Sequence, residues 1–110
     1  MKNLFIFSGR KLDLMGLTLA ENISKVDGEL VKVFLMEDAV NYARKSLPEA
    51  YNSFESRANR ILDNGNEVNV CDTCVSNRNI SKDDIIEGIN IGSLTSLTEW
   101  SIWADKVFNF

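Results

Sequence analysis

The sequence predicts a three-layer α/β/α domain built on a mainly parallel five-stranded sheet. Three observations carry this. Short, nearly unbroken apolar runs, such as Leu4-Phe5-Ile6-Phe7 and Val33-Phe34-Leu35, suit strands covered on both faces. These runs alternate with stretches whose apolar residues recur at helical spacing, the pattern of strand–helix–strand crossovers. The chain has 110 residues, enough for one domain spanning residues 1–110 and too few for two.

The elements follow in order. Asn3 to Ser8 is apolar and aromatic and is bounded by Ser8-Gly9, which marks the first strand. Leu12, Met15, Leu19, Ile23 and Val26 recur at helical spacing, and Leu14 and Leu17 widen the stripe. This first helix is expected to end at Asp27-Gly28, with Gly28 as a left-handed cap. Glu29 to Met36 reads as the second strand. Asp38 is placed to cap a short helix through Ala39, Val40, Tyr42 and Ala43. Leu47-Pro48 breaks that helix, and Glu49 to Leu62 forms the next, closed by Asn64-Gly65. Glu67 to Cys71 is the third strand. Cys71-Asp72-Thr73-Cys74 opens a helical turn that ends near Asn79. Ser81-Lys82-Asp83-Asp84 has the form of a capping box and predicts a further helix start. Gly88 to Gly92 is a connector or a very short strand, Ser93 precedes a helix carrying Leu94, Leu97, Trp100 and Ala104, and Lys106 to Phe110 is the last strand.

Composition narrows the chemistry. There are 12 basic and 16 acidic residues, a net charge of −4, the wrong sign for a general nucleic-acid binder. Histidine is absent, which removes Ser-His-Asp and Cys-His catalysis and histidine metal sites. The apolar run at the amino terminus is too short for a signal-peptide core, and no stretch approaches a membrane span. A cytoplasmic protein, bound to no membrane, is expected. Two cysteines are too few for the disulfide framework of a small secreted fold.

Those cysteines, Cys71 and Cys74, form the one reactive constellation. A cysteine acts through its thiolate, which a nearby cation or a helix start favours. Helical spacing sets Cys71, Cys74 and Arg78 on one face, with Arg78 available to hold an anionic sulfur. Asp72 opposes that charge, and Arg10 and Lys11 add to it from the first loop. A nucleophilic Cys71 is expected to be partly exposed where the chain leaves the sheet. Free cysteines often only pack. The pairing, the neighbouring arginine and the position at the carboxyl end of a strand, where such sheets bind ligands, favour function.

Two other uses of the motif fit less well. A thioredoxin-like site needs a later cis-proline, and Pro48 lies upstream. Zinc needs four ligands, so two cysteines supply half a site. No metal or cofactor is expected. Elsewhere, Ser8-Gly9 reads as a tight turn, Glu37-Asp38 as a cap, and Asp83-Asp84 as first-turn charge that complements the helix dipole. Trp100 and Trp103 read as core or interface residues. The broad apolar faces of the first helix and of the Leu94 to Trp103 helix point to a homo-oligomer.

Four segments give the chain a resemblance to the DsrE/DsrF-like family of small sulfur-relay proteins (the DsrEFH superfamily). They are Phe5-Ile6-Phe7-Ser8-Gly9; Val31 through Val40; Val70-Cys71-Asp72-Thr73-Cys74-Val75-Ser76-Asn77-Arg78-Asn79-Ile80; and Gly88 through Leu94 with Ala104 through Phe110. The resemblance implies that Cys71 accepts sulfane sulfur as a persulfide and that Arg78 is the family's arginine. Cys74 matches the second cysteine of a subset and would release the sulfur or protect the thiol. The family usually has glycine where Asn79 stands, and asparagine tolerates the left-handed backbone. The resemblance also implies sulfur donors and acceptors as partners, and a homo-oligomer such as a trimer or hexamer. Two alternatives remain beside the sulfur carrier: a thiol–disulfide redox or sensor protein using Cys71 and Cys74, and a non-enzymatic oligomeric binding module.

Overall fold

A computed structural model describes residues 1–46 and 52–110. Five strands form one sheet: β1 (Lys2–Phe7), β2 (Leu30–Leu35), β3 (Glu67–Cys71), β4 (Asn90–Gly92) and β5 (Lys106–Asn109). Their order is β4-β3-β2-β1-β5 and every pairing is parallel. The helices are α1 (Leu14–Ser24), α2 (Asn52–Asp63), α3 (Asp72–Asn77) and α4 (Leu94–Trp103), with 3-10 segments at Glu37–Ala43 and Lys82–Asp84. The expected Leu47-Pro48 break and the start of the second long helix at Glu49 lie outside the described residues.

The sheet is buried because its strands are apolar on both faces. Leu4, Phe5, Val33, Phe34, Val68 and Val70 are all buried. α1 and α2 pack against each other on one face, and Phe5 and Phe7 stack there with Phe110. α4 covers the other face, where Trp100 meets Phe34 edge-on and Lys32 lies over the rings of Trp100 and Trp103. Phe7 pairs with Leu35 and Leu35 with Val70, so Ser8, Met36 and Cys71 follow at the same carboxyl edge. This is the clustering that a parallel sheet requires.

Several local expectations change. α1 is capped by Asp13, whose carboxylate accepts from the Gly16 N–H at 2.8 Å. It ends at Ser24, and Gly28 (φ +83°) turns the chain into β2 rather than capping the helix. Its buried residues are Gly16, Leu17, Ala20, Glu21 and Ser24. Met15 is 85% exposed and Leu14 and Leu19 also face outward, so the apolar stripe read from spacing is not the packed one. Gly16 is there for approach: a Cβ would stand 2.8 Å from the Phe110 ring. The capping-box helix after Ser81 is only a three-residue 3-10 turn. Ser81 does accept from the Asp83 N–H, but Asp84 turns aside to Arg44 and Ser46.

Candidate functional site

β3 ends at Cys71, and α3 begins at the next residue. The change from strand to helix turns Cys74 back toward Cys71 within one turn. Both thiols are free, and each lies near enough to shift the titration of the other. Thr73 Oγ1 lies 3.3 Å from Cys71 Sγ. Burial alone would push the Cys71 thiol up. Hydrogen bonds from the Cys74 thiol, the Thr73 hydroxyl and the backbone N–H groups of Cys74 and Thr73 outweigh it, and its pKa falls below the ordinary thiol value. Cys74 goes the other way. Burial and the hydrogen bond to Cys71 raise it, and the Glu37 N–H only partly opposes them. The pair therefore loses its first proton toward a Cys71 thiolate held by a Cys74 thiol.

Cys71 does not meet the expectation of partial exposure. Cys71 is 1% exposed and Cys74 6%. The reason is local: Cys71 still belongs to the sheet, in register with Gly92, and α3 closes over it at once. An attacking thiolate here needs Thr73 or the first turn of α3 to move. A cavity of about 280 Å³ opens beside that turn, lined in part by Asp72, Thr73, Ser76 and Lys82.

Arg78 stands four residues beyond Cys74, as its spacing requires, but its guanidinium is shared differently from the expectation. Nε and Nη2 donate to Asp38 Oδ1 at 3.2 and 2.9 Å, and Nη1 donates to the Cys74 carbonyl at 3.1 Å. Glu37 lies 3.6 Å away. The Asp38 hydrogen bond is the main reason that the Arg78 pKa is raised. Its charge is felt by Cys74, whereas the Cys71 thiolate is held by hydrogen bonds from its own turn. Asp38 is correspondingly not a helix cap. Met36 occupies the cap position of the 3-10 segment, and the Asp38 carboxylate bridges to Arg78, with Arg10 3.8 Å distant.

Two further residues belong to this edge. Glu37 has φ +51° and donates its backbone N–H to Cys74 Sγ at 3.2 Å. Glutamate carries no sequence signal for that conformation. Asn69 is buried two residues before Cys71, on the same face of β3, and its Oδ1 has no partner among the described residues. Its signal was legible: an amide between Val68 and Val70 in a strand covered on both faces. Asn79 takes φ +54°, the left-handed turn that asparagine was expected to tolerate. Among the described residues no group of three or more cysteine or carboxylate side chains is arranged to hold a metal ion. No helix among them is long and apolar enough to cross a membrane.

Known proteins agree with this architecture. Protein YchN of Escherichia coli is 35% identical over 98 residues, which cover 87% of this chain and 80% of YchN. An uncharacterised protein of Methanopyrus kandleri is 33% identical over 86 residues, 77% of this chain and 71% of its own. The crystal structure of the E. coli YchN protein superposes with a TM-score of 0.81 at 30% identity and covers 100% of both chains. A protein of unknown function from Methanobacterium thermoautotrophicum shares the fold, with a TM-score of 0.80 at 13% identity over 99% of this chain and 98% of its own. The sequence model of the DsrE/DsrF-like family matches residues 1–110, and the chain belongs to that family.

Proposed function

We propose that this protein is a sulfur carrier that takes sulfane sulfur onto Cys71. The observation that carries the reading is the place of Cys71 Sγ at the strand-to-helix turn, 3.3 Å from Thr73 Oγ1, where the donors of that turn lower its pKa. They favour the thiolate, the form that attacks sulfur. The Cys71 thiolate attacks the outer sulfur of a donor persulfide, R–S–SH. A Cys71 Sγ–S bond forms, the donor S–S bond breaks, and the donor leaves as its thiolate, RS⁻. An acceptor thiolate then removes the outer sulfur in the same way and returns Cys71 to thiolate. The cavity beside Thr73 adjoins the thiol-bearing turn and has room for a small thiol-bound donor.

Membership of the DsrE/DsrF-like family is consistent with a sulfur-relay role. A reducing, cytoplasmic setting fits two free thiols. The outward apolar residues of α1 and α4, Leu14, Met15, Leu19 and Ile102 (81% exposed), support a homo-oligomer. The effect of each thiol on the other's pKa favours one second reading, a reversible Cys71–Cys74 disulfide in redox sensing.

Mass spectrometry of the reduced protein before and after inorganic polysulfide tests the reading. Wild type should gain one sulfur on Cys71, Cys74→Ser should still load but release the sulfur differently, and Cys71→Ser should not load. A wild type that forms the disulfide while neither Cys74→Ser nor Cys71→Ser takes up sulfur supports redox sensing instead. Full loss of loading on Cys74→Ser alone would exchange the roles of the two cysteines.

A further inference from the structure

The fold holds Cys74 at two points, both reaching across to the turn that follows β2. Its sulfur accepts the Glu37 N–H at 3.2 Å, and its carbonyl accepts Arg78 Nη1, which is itself fastened to Asp38. Glu37 can aim its N–H this way because its backbone is left-handed, φ +51°. That conformation is strained for a residue with a Cβ and persists only where the surroundings enforce it. Among the described residues only Glu37 and Asn79 combine a side chain with positive φ, and both adjoin Arg78. The strained Glu37 backbone aimed at the Cys74 sulfur calls for a use of that sulfur.

We propose that the backbone N–H of Glu37 is a positioning donor for Cys74, holding its sulfur against Cys71 for the closure that expels a bound sulfur. The expulsion of sulfur rests on the sulfur-carrier reading; the positioning of Cys74 for closure does not. In the step, the Cys74 sulfur attacks Cys71 Sγ of the persulfide. From the ionised persulfide, the Sγ–Sγ bond forms, the bond from Cys71 Sγ to the outer sulfur breaks, and the outer sulfur takes the Cys74 proton and leaves as hydrosulfide. The two cysteine sulfurs are oxidised to a disulfide, and the sulfane sulfur is reduced by the same two electrons. A small dithiol then reduces the disulfide and restores both thiols. The Glu37 N–H stabilises negative charge on Cys74 as its proton departs. The charged groups facing Cys74 are Cys71, the Glu37 carboxylate and Arg78, with Asp38 behind Arg78.

The test separates backbone from carboxylate by comparing Glu37→Gly with Glu37→Val. Both lose the charge, but glycine adopts positive φ freely and a β-branched residue resists it. One arm loads the protein with inorganic polysulfide and times sulfide release. The other treats it with one equivalent of methyl methanethiosulfonate. This gives a methyl mixed disulfide on Cys71 and methanesulfinate, after which closure by Cys74 expels methanethiol. Mass spectrometry follows the mixed disulfide as it converts to the internal disulfide. Glu37→Gly should close within about twofold of wild type. Glu37→Val should capture the reagent equally but close about tenfold more slowly. Its closure should also need higher pH than that of Glu37→Gly. If Glu37→Val does not fold, Glu37→Ala against Glu37→Gly gives the same contrast at a few-fold. Equal closure by glycine and valine variants overturns the proposal, as does equal slowing of both. A wild type that closes from the mixed disulfide but never takes up polysulfide sulfur overturns the carrier reading and leaves the Glu37 comparison to be decided by the second arm.

Discussion

Two arginine–carboxylate networks in this molecule are inversions of each other. In the first, one carboxylate serves several cations: Glu21 of α1, 4% exposed, accepts from Arg57 and Arg60 of α2, with Lys25 3.8 Å away. In the second, one cation serves two carboxylates: Arg78 holds Asp38 and Glu37 and caps the Cys74 carbonyl. The first joins two helices, and every residue in it has an ordinary backbone. The second joins the thiol-bearing turn to the loop after β2, and it contains Glu37, strained at φ +51°. Near Glu21 the polar groups are satisfied without distortion, which is what a clamp needs. Near Arg78 the chain accepts distortion, which folding alone does not favour. Charge pairing is common to both networks. Strain beside a reactive pair distinguishes them.

The largest expected effect breaks the comparison at its functional end. Cys71→Ser should lose sulfur loading entirely, while its unfolding midpoint stays near that of wild type, since serine is close to cysteine in size. Mass spectrometry after polysulfide treatment, set beside thermal unfolding, reads both quantities. Loading retained by Cys71→Ser would remove Cys71 as the acceptor and move the sulfur to Cys74, the cysteine that the second network holds.

At the other end, Glu21→Gln should cost stability and leave loading alone. Removing the charge leaves two guanidiniums with a weaker acceptor, for a loss of about 1–3 kcal/mol. That corresponds to a fall in Tm on the order of 4–8 °C per kcal/mol for a domain of this size. Burial raises the Glu21 pKa, but Arg60, Lys25 and Arg57 outweigh it and the net shift is down. The folded value thus lies below the unfolded one. The Glu21 contribution is full above the unfolded carboxylate pKa and is lost as pH falls through the folded pKa. Urea unfolding at neutral and acidic pH should show the gap between variant and wild type narrowing in acid. A gap that widens in acid would contradict the assigned direction.

The same contrast explains what the sequence disclosed. β3 was legible to the residue because Asn64-Gly65 breaks the chain before it and Cys71 begins the next turn. Asn79 was legible because asparagine is a known occupant of the left-handed region. Glu37 in the same region was not, since nothing local favours it there; it is held by contacts with residues some 40 positions away. Arg78 was found by spacing from Cys74, but its main partner, Asp38, is equally distant in sequence and had a cheaper local explanation as a cap. For α1, spacing identified the helix and mistook its buried side. Apolar residues lie on both sides, and only packing decides that Leu17 turns inward and Met15 outward. The short turn after Ser81 failed as a helix because Asp84 is drawn away to Arg44 and Ser46.

The smallest expected effect is the sharpest test of the two networks. Arg78→Ala removes a cation whose charge is coupled to Cys74, while the donors on Cys71 belong to Cys74, Thr73 and the backbone of α3. Losing the cation raises the pKa of Cys74, so closure should shift to higher pH and slow a few-fold at neutral pH. Attack by Cys71 on a small alkylating reagent should change less, because its own hydrogen bonds remain. Arg78→Lys should fall between the two, keeping the charge but losing the planar fork that reaches Asp38 and the Cys74 carbonyl together. The two rates must be measured as pH profiles on the same protein, since a loss of fold would lower both in parallel. Parallel loss, with unfolding at lower urea, would place Arg78 beside Glu21 as a clamp. A shift in the Cys74 step alone would separate the two networks by function.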